Sequence, residues 1–206
     1  MVLDKDTAEL GEFLKQTRGN SADARGHSPQ GIVPTTQQVV FGDIGMFISS
    51  DGVWHYKGTP INRPALLKFF ASILQKDNAG NFWLITPTEI APVTVEDTPF
   101  VAIDLALSGK GAKQNIRLIT NIETSIIIDA KHPLILLGTD KSKQALPYVL
   151  QPNGLHIRLN RAVYYDVVAL GIEKKRKITS VFGIWSGGVF HELGQFEPEN
   201  THGFAP

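Results

Sequence analysis

The fold is indicated most directly by two stretches of the chain, residues 51–63 (DGVWHYKGTPINR) and residues 153–161 (NGLHIRLNR). Each begins with Asp or Asn followed by glycine, the pair that is typical of a tight turn between antiparallel strands. Each ends with an aliphatic residue and then Asn-Arg, where a helical pattern of apolar residues begins. The two stretches therefore predict the same order of elements twice, a hairpin, an asparagine cap, a helix and a strand. We infer an internal duplication from this order.

The residues after each Asn-Arg pair have the spacing of an amphipathic helix. Asn62 is expected to cap the first helix, with Pro64 in its first turn, and Asn160 is expected to cap the second. The apolar faces consist of Leu66, Leu67, Phe69, Phe70, Ile73 and Leu74 in the first helix and of Val163, Tyr164, Val167, Val168 and Leu170 in the second. Strands that contain Phe82 and Phe182 follow, so each helix is expected to pack on a sheet of its own.

Outside the repeat the chain consists mainly of short strand patterns separated by turns. Residues 1–38, with a short helical pattern near Leu10, are expected to form an N-terminal arm and linker. Residues 39–92 are predicted to form a first α+β domain, which a break at Pro92 separates from the rest. Residues 93–206 are predicted to form a strongly bent antiparallel sheet or barrel with a helix against an open end and a C-terminal extension. Its strand candidates are Phe100–Leu107, Asn115–Thr120, Ser125–Ile128, Leu134–Leu137, Tyr148–Gln151 and Leu155–Leu159.

Composition narrows the classes of function. Lys plus Arg and Asp plus Glu both number 20 in the 206 residues, so the chain has no net charge with which to hold a nucleic acid. No apolar run approaches the ~18 to 20 residues of a membrane-spanning helix, and the N-terminus lacks the basic start and apolar middle of a secretory signal. Cysteine is absent, which removes thiolate chemistry and agrees with a reducing compartment. We therefore expect a cytoplasmic protein that binds neither nucleic acid nor a membrane.

The motifs that would indicate catalysis are incomplete. Residues 183–188 are similar to the turn that holds a nucleophilic serine, but Ile184 stands where that turn needs glycine. A Gly-Gly turn between two terminal strands is the better interpretation. No two of the six histidines have the spacing of a metal-binding face, and a hydrolase with Glu89 or Asp97 as its base lacks a second catalytic partner. We predict that the protein is not an enzyme and holds neither a metal ion nor a cofactor.

One group of residues is more suggestive of ligand binding. Arg63 stands where a helix begins, a position that favours an anion, and Trp54 and Tyr56 precede it on the hairpin as a shelf for a flat ring. Polar residues at the end of the next strand and an acidic pair before Pro99 are expected to border the same pocket. The predicted ligand-binding residues are therefore Arg63, Trp54, Tyr56, Thr86, Glu89, Glu96 and Asp97. The alternative interpretation is structural, a capped helix over the edge of a Trp/Tyr core.

A set of short segments carries a family resemblance. They are Gly42-Asp43-Ile44, Ser50-Asp51-Gly52-Val53-Trp54, Gly58-Thr59-Pro60-Ile61-Asn62-Arg63, Thr86-Pro87-Thr88-Glu89, Val95-Glu96-Asp97-Thr98-Pro99-Phe100 and His132-Pro133-Leu134 with Pro147-Tyr148-Val149. Together they resemble the bacterial family described as domain of unknown function 1285, over about residues 40 to 170. Gly45 departs from the acidic residue usual after Gly-Asp-Ile, and the residues beyond Lys177 lie outside the pattern.

The resemblance implies a duplicated core whose second half is similar to a pleckstrin-homology fold, with seven strands and a C-terminal helix. It also implies a cleft between the halves for a small, nucleotide-like ligand in signalling, and it implies no enzyme activity. The expected protein is therefore an α+β, internally duplicated, β-rich two-domain protein that binds an anionic small molecule between its domains and acts in regulation. The alternative is a protein-interaction adaptor without a small-molecule ligand, which presents a sheet edge or groove to a protein partner.

Overall fold

The computed structural model describes residues 28–139, 142–175 and 179–196, so the predicted helix near Leu10 lies outside the described residues. The chain divides into two compact units. Of the described residues, the first unit contains those up to Val101 together with Asn121–Thr124 and Asn153–His156, and the second contains those of Ala102–Thr120, Ser125–Pro152 and the part from Ile157 onward. The described residues form a β-rich α+β protein with two α-helices, one in each unit.

The first unit is a mixed sheet with one helix. Its elements are β1 (Val39–Val40), β2 (Met46–Ile48), β3 (Trp54–Tyr56), β4 (Thr59–Pro60), α1 (Pro64–Ile73), β5 (Leu74–Lys76), β6 (Phe82–Ile85) and β7 (Glu89–Val95). The strand order is β4-β3-β2-β7-β6-β5, and β1 also pairs with β7. β1 and β2 run parallel to β7, whereas the other pairs are antiparallel. β7 is therefore the strand that joins the hairpin to the strands after the helix.

The hairpin that Asp51-Gly52 predicts is confirmed. β2 and β3 pair antiparallel, with Ile48 opposite Trp54. Gly52 has a φ of 84°, a left-handed conformation that glycine adopts readily because it has no Cβ. The indole of Trp54 stacks on Phe70 of α1 at 6.3 Å between ring centroids and an interplanar angle of 7°, so the hairpin and the helix share one core.

Pro92 does not end a strand, because β7 continues through it from Glu89 to Val95. β1 pairs with the first two residues of β7 and β2 pairs with its last two, so Pro92 faces the gap between these partners. A proline has no N–H to donate, and the gap requires none. The chain first passes from one compact unit to the other between Val101 and Ala102, later than the predicted break between residues 92 and 93.

The helix predicted after Asn62 is confirmed, but its predicted asparagine cap is wrong. The N-cap of α1 is Arg63, with an extended backbone (φ −97°, ψ 109°) and no side-chain capping hydrogen bond. The reason is Pro64, the first helical residue, because a proline forces the residue before it out of the helical conformation. At the other end Leu74, assigned to the helix by its spacing, starts β5 instead.

The second unit consists of two sheets and one helix. Its elements are β8 (Phe100–Ser108, which begins in the first unit), β9 (Asn115–Thr120), β10 (Ser125–Ile127), β11 (Leu134–Thr139), β12 (Ser142–Leu150), β13 (His156–Leu159), α2 (Arg161–Ala169), β14 (Ile172–Lys175), β15 (Ser180–Ser186) and β16 (Val189–Phe196). Six strands form a sheet in the order β10-β9-β8-β13-β12-β11, and three form a second sheet in the order β14-β15-β16. The six strand segments predicted for this half are confirmed as strands, whereas β14 was not predicted.

α2 begins as the sequence predicts. Asn160 is its N-cap, and the Asn160 Oδ1 accepts a hydrogen bond from the Val163 N–H at 2.8 Å. The helix packs against β15 of the three-stranded sheet, and its predicted place against an open end of the larger sheet stays a prediction. α1 likewise packs against β6. Each helix therefore packs on a different sheet, as predicted.

The strands after the two helices follow the same order. β5, β6 and β7 form an antiparallel series after α1, and β14, β15 and β16 form one after α2. The interval in sequence from the start of β5 (Leu74) to the start of β14 (Ile172) equals that from the start of β6 (Phe82) to the start of β15 (Ser180). The same interval separates Asn62 from Asn160. The two parts differ in their connections, because β7 also pairs with the hairpin strand β2, whereas β14–β16 form a separate sheet.

Candidate functional site

Trp54 is a core residue. It is 1% exposed, its ring lies on Phe70, and its Nε1 donates a hydrogen bond to the Pro99 carbonyl at 3.3 Å. A side chain buried in this way presents no face to a ligand, so the predicted role of Trp54 as an aromatic shelf is wrong. Tyr56 is half-buried two residues later, with the Lys57 ammonium 5.2 Å from its ring centroid.

Thr86 and Glu89 form the turn between β6 and β7. The Thr86 Oγ1 accepts a hydrogen bond from the Glu89 N–H at 2.9 Å, and the Thr86 N–H donates to the Glu89 carbonyl at 2.8 Å. Glu96 and Asp97 follow the opposite end of β7. Seven residues of strand at about 3.3 Å each separate the two pairs by ~20 Å. The seven predicted residues therefore do not line one pocket.

Glu96 and Asp97 form the polar corner that the sequence predicts. The Glu96 carboxylate accepts a hydrogen bond from the Ser50 N–H at 2.7 Å, so it holds the turn between β2 and β3. Burial, and after it the charge of Lys76, hold the pKa of His156 below its ordinary value. The exposed carboxylate of Asp97 opposes this shift but does not cancel it. Arg63 is exposed and is the N-cap of α1. The seven predicted ligand-binding residues therefore lie in several parts of the first unit.

Asp77, which follows β5, has a structural role that the sequence did not predict. Its carboxylate accepts five hydrogen bonds, from Gln30 N, Ala79 N, Asn81 N, Asn81 Nδ2 and Trp83 Nε1. Burial alone raises the pKa of Asp77, but the hydrogen bonds, led by that of Trp83, lower it to about 2. The Asp-x-x-Gly pattern of residues 77–80 is typical of a carboxylate that binds backbone N–H groups of its own turn. The hydrogen bonds from Gln30 and Trp83 depend on the fold.

A cavity of about 410 Å³ lies on the first unit's sheet. Asp43, Asn81, Phe82, Trp83, Pro92 and Thr94 line much of it. Asp43 accepts a hydrogen bond from the Gly45 N–H at 2.8 Å, and the Asn81 side chain donates to Asp77. The polar groups here thus mainly support local turns, and the lining includes no cationic side chain among the described residues.

A second cavity, of about 300 Å³, lies in the second unit and has a different lining. It is bordered by Leu146, Pro147, Arg158, Arg161, Tyr164 and Tyr165. The Arg161 Nε donates a hydrogen bond to the Tyr165 hydroxyl at 3.1 Å, and the guanidinium carbon lies 5.6 Å from the Tyr165 ring centroid. The rings of Tyr164 and Tyr165 are 6.4 Å apart at 29°. Two guanidinium groups and two phenol rings therefore share one concave surface.

The local fold places these four side chains together. Tyr164 and Tyr165 follow Arg161 by about one helical turn, so the three side chains lie on one face of α2. Arg158 belongs to β13, in which Ile157 and Leu159 are buried and the alternate residues point to the other face. In the sequence repeat, Arg161 was interpreted only as part of a helix start. The alternation of buried and less buried residues in β13 is the signal that would have placed Arg158 on the outer face of the strand.

A buried polar cluster in the second unit has a structural role. The Ser186 Oγ accepts a hydrogen bond from the Ile116 N–H at 2.9 Å, and the His191 Nδ1 accepts one from the Leu134 N–H at 3.4 Å. Ser186 is 0% exposed and His191 is 4% exposed, so neither reaches a substrate in solution. The predicted turn at residues 187 and 188 is confirmed, because Ser186 pairs with Val189 across it.

Neither a metal site nor a membrane span is present in the parts of the chain that the structure describes. No three His, Cys, Asp or Glu side chains there are close enough together to hold a metal ion. No helix there is both long and apolar enough to cross a bilayer.

Comparison with known proteins gives a consistent result for both units. Residues 36–98 match the sequence model of the N-terminal domain of DUF1285, a domain of unknown function, and residues 99–193 match that of the C-terminal domain of the same family. A crystal structure of a DUF1285 family protein from Silicibacter pomeroyi DSS-3 is 34% identical, with a TM-score of 0.66 over 81% of this chain and 90% of that chain. Another, from Shewanella baltica OS155, is 31% identical with a TM-score of 0.49, over 61% of this chain and 91% of that chain. No curated protein matches the chain.

Proposed function

The chain belongs to the DUF1285 family, and from this premise we propose that it is a cytoplasmic regulatory protein that binds an anionic small molecule and catalyses no reaction. The observation that carries the proposal is the cavity of the second unit, in which Arg158 and Arg161 lie beside Tyr164 and Tyr165. Guanidinium groups bind carboxylates and phosphates through paired N–H groups, and phenol rings stack on flat ligands. The ligand therefore carries an anionic group and a planar ring, as a nucleotide does.

The cavity supports binding better than the residues predicted around Arg63. Trp54 is enclosed in the core, and Glu96 holds the hairpin turn through Ser50. Arg63 nevertheless stands in the first repeat where Arg161 stands in the second. This correspondence gives the experiment a matched control variant from the same chain.

The test is a thermal-shift screen of nucleoside mono-, di- and triphosphates, followed by calorimetry of each hit, on wild type, Arg161→Gln and Arg63→Gln. Loss of a charge-assisted hydrogen bond worth ~1.5 to 3 kcal/mol should weaken binding roughly ten-fold or more in Arg161→Gln. Arg63→Gln should bind as wild type does. A loss of affinity in Arg63→Gln alone would place the site in the first unit. No binding, or equal binding by all three proteins, would contradict the proposal.

The second candidate is the protein-interaction adaptor, and the exposed edge strand β14 favours it. All four residues of Ile172–Lys175 are exposed, and β14 pairs with β15 on one side only among the described strands. An unpaired edge accepts an added strand, and Lys174 and Lys175 suit an acidic peptide. Titration of ¹⁵N-labelled protein with an extended acidic peptide tests this, because strand addition shifts the β14 amide signals, whereas unchanged signals would contradict it.

We also propose that the parts containing α1 and α2 arose by internal duplication and that β8–β13 with α2 form a pleckstrin-homology-like domain. The equal spacing of the helix caps and of the following strands supports the duplication. The order of six strands before a helix supports the second assignment. Superposition of α1–β7 on α2–β16 in an experimental structure tests the duplication, and a different strand direction in the two parts would contradict it.

A further inference from the structure

We infer that the cavity of the second unit selects a dianion, a phosphate monoester carried on one planar ring system, over monoanions and polyphosphates; this inference rests on the proposed function. Arg158 and Arg161 both line the cavity, and none of the described residues that line it is acidic. A lining with two arginines and no acidic residue attracts a doubly charged ligand more strongly than a singly charged one, because the Coulomb energy is proportional to the charge of the ligand. A phosphate monoester carries about −1.5 to −2 at neutral pH, whereas a sulfonate or carboxylate carries one charge.

Arg161 is positioned for such a ligand before the ligand arrives. Its Nε is committed to the Tyr165 hydroxyl, and its guanidinium lies over the Tyr165 ring. The structure gives its two terminal nitrogens no hydrogen-bond partner among the described residues. A guanidinium held by one edge loses little freedom on binding and offers paired donors to the oxygens of a phosphate.

The size of the cavity limits the ligand to one phosphate and one ring system. Its volume of about 300 Å³ is at the lower end of the ~300 to 1,000 Å³ typical of ligand pockets. Tyr165 is 55% exposed and offers ring surface to a planar group. The second and third phosphates of a polyphosphate would extend beyond the two arginines, where they add charge without adding contacts.

The first repeat has only one of the four side chains. The residues that correspond by the Asn62 and Asn160 alignment to Arg158, Arg161, Tyr164 and Tyr165 are Pro60, Arg63, Leu66 and Leu67. The first repeat thus has the arginine before its helix, but neither the second arginine nor the rings. Selectivity for a dianion should therefore depend on Arg158 and Arg161 together and not on Arg63.

The experiment uses phenyl phosphate as the probe, with benzenesulfonate as the monoanion of the same ring, phenol as its neutral form, and adenosine 5′-monophosphate and adenosine 5′-triphosphate for phosphate number. Affinities are measured by calorimetry and by NMR shifts at pH 7.5 on the full chain and on Arg158→Gln, Arg161→Gln and Arg63→Gln. Thermal melting of each variant checks that it is folded. Phenyl phosphate should bind at least ten-fold more tightly than benzenesulfonate, and the monophosphate should bind at least as tightly as the triphosphate.

Each cavity variant should lose ten-fold or more of its affinity for phenyl phosphate, whereas Arg63→Gln should keep it. Wild-type affinity should also fall between pH 7.5 and 5.5, because the second proton binds to the phosphate near pH 6. Equal binding of benzenesulfonate and phenyl phosphate, with both dependent on Arg161, would overturn the dianion selectivity and leave the proposed function intact. Binding of none of the probes, or binding unaffected by Arg158→Gln and Arg161→Gln, would overturn both.

Discussion

At the scale of single residues, the Asp77 carboxylate organises its surroundings by accepting five hydrogen bonds. It satisfies backbone N–H groups of its own turn and reaches Gln30 and the Trp83 indole. An ionised carboxylate only accepts hydrogen bonds, and its two oxygens together can accept several. It therefore suits a position where all of the neighbouring polar groups are donors. The residue therefore connects the segment before β1 to the β5–β6 turn.

Replacement of Asp77 by asparagine should destabilise the first unit at neutral pH. The asparagine amide nitrogen would face at least one of the donors that now bind the carboxylate, which leaves buried donors without acceptors at a cost of ~1 to 3 kcal/mol. Urea denaturation at pH 7 followed by intrinsic tryptophan fluorescence measures the loss. Asp43→Asn, which changes a carboxylate with one backbone hydrogen bond, is the control and should cost less.

The pH dependence of that difference has a definite sign. The pKa of Asp77 is about 2 in the folded state, below the ~3.9 of a free aspartate, so its contribution is present above about pH 4 and is lost as the pH falls toward 2. The linked stabilisation is of order 2 to 3 kcal/mol, because one pKa unit corresponds to about 1.4 kcal/mol. Wild type and Asp77→Asn should therefore converge in stability between pH 4 and pH 2, and a constant difference over this range would contradict the assignment.

His191 gives a second pH effect, at higher pH. Burial, the largest cause, holds the pKa of His191 below its ordinary value, although the Ser186 backbone and Asp129 oppose it. The unfolded chain therefore takes up the proton first, near pH 6.5, and stability should fall as the pH drops below this value. His191→Gln should reduce the slope of stability against pH between 7 and 5, and addition of His156→Gln should reduce it further. A slope unchanged in the double variant would contradict this.

At the scale of elements, the two helix starts differ although their sequences match. Asn160 accepts a hydrogen bond from the Val163 N–H, whereas Pro64 places the N-cap of α1 at Arg63 and leaves Asn62 outside the helix. The same Asn-Arg pair thus precedes one capped helix and one that begins with proline.

The two asparagines should therefore respond differently to alanine. Asn160→Ala should cost ~1 kcal/mol, because an N-terminal N–H of α2 loses its acceptor, whereas Asn62→Ala should change stability by less than about half of that. Thermal or urea denaturation of both variants gives the comparison. Equal losses would show that Asn62 caps α1 in solution, against the geometry of its N-cap.

Strands with a buried face could be predicted from their alternation, and those without one could not. β13 has buried residues at every second position, and its range was predicted to within one residue. β14 is exposed at all four positions and contains Glu173, Lys174 and Lys175, so its sequence has no apolar period to detect. It is a strand because β15 supplies its hydrogen-bond partners.

At the scale of the whole molecule, the charge balance predicts that the chain does not bind DNA. With 20 acidic and 20 basic residues, the chain has no net charge at pH 7, and binding to DNA depends on phosphate neutralisation by excess positive charge. Fluorescence anisotropy of a labelled duplex should therefore show no binding at micromolar protein in 150 mM salt. Salt-sensitive binding below this concentration would contradict the expectation and indicate a concentrated basic surface.

The amino-acid sequence by itself determined the β-rich class, the hairpin at Asp51-Gly52, both helices and the family, because turn chemistry and apolar periodicity are local properties. It did not determine the candidate site. Glu89 and Glu96 are close in sequence but stand at opposite ends of β7, and Trp54 is enclosed by Phe70 of α1. Arg158, Arg161 and the two tyrosines lie within eight residues of the sequence, but only the pairing of β12 with β13 brings Leu146 and Pro147 to them. A binding surface depends on which elements become neighbours, and the tertiary structure decides this because long-range burial selects the pairing.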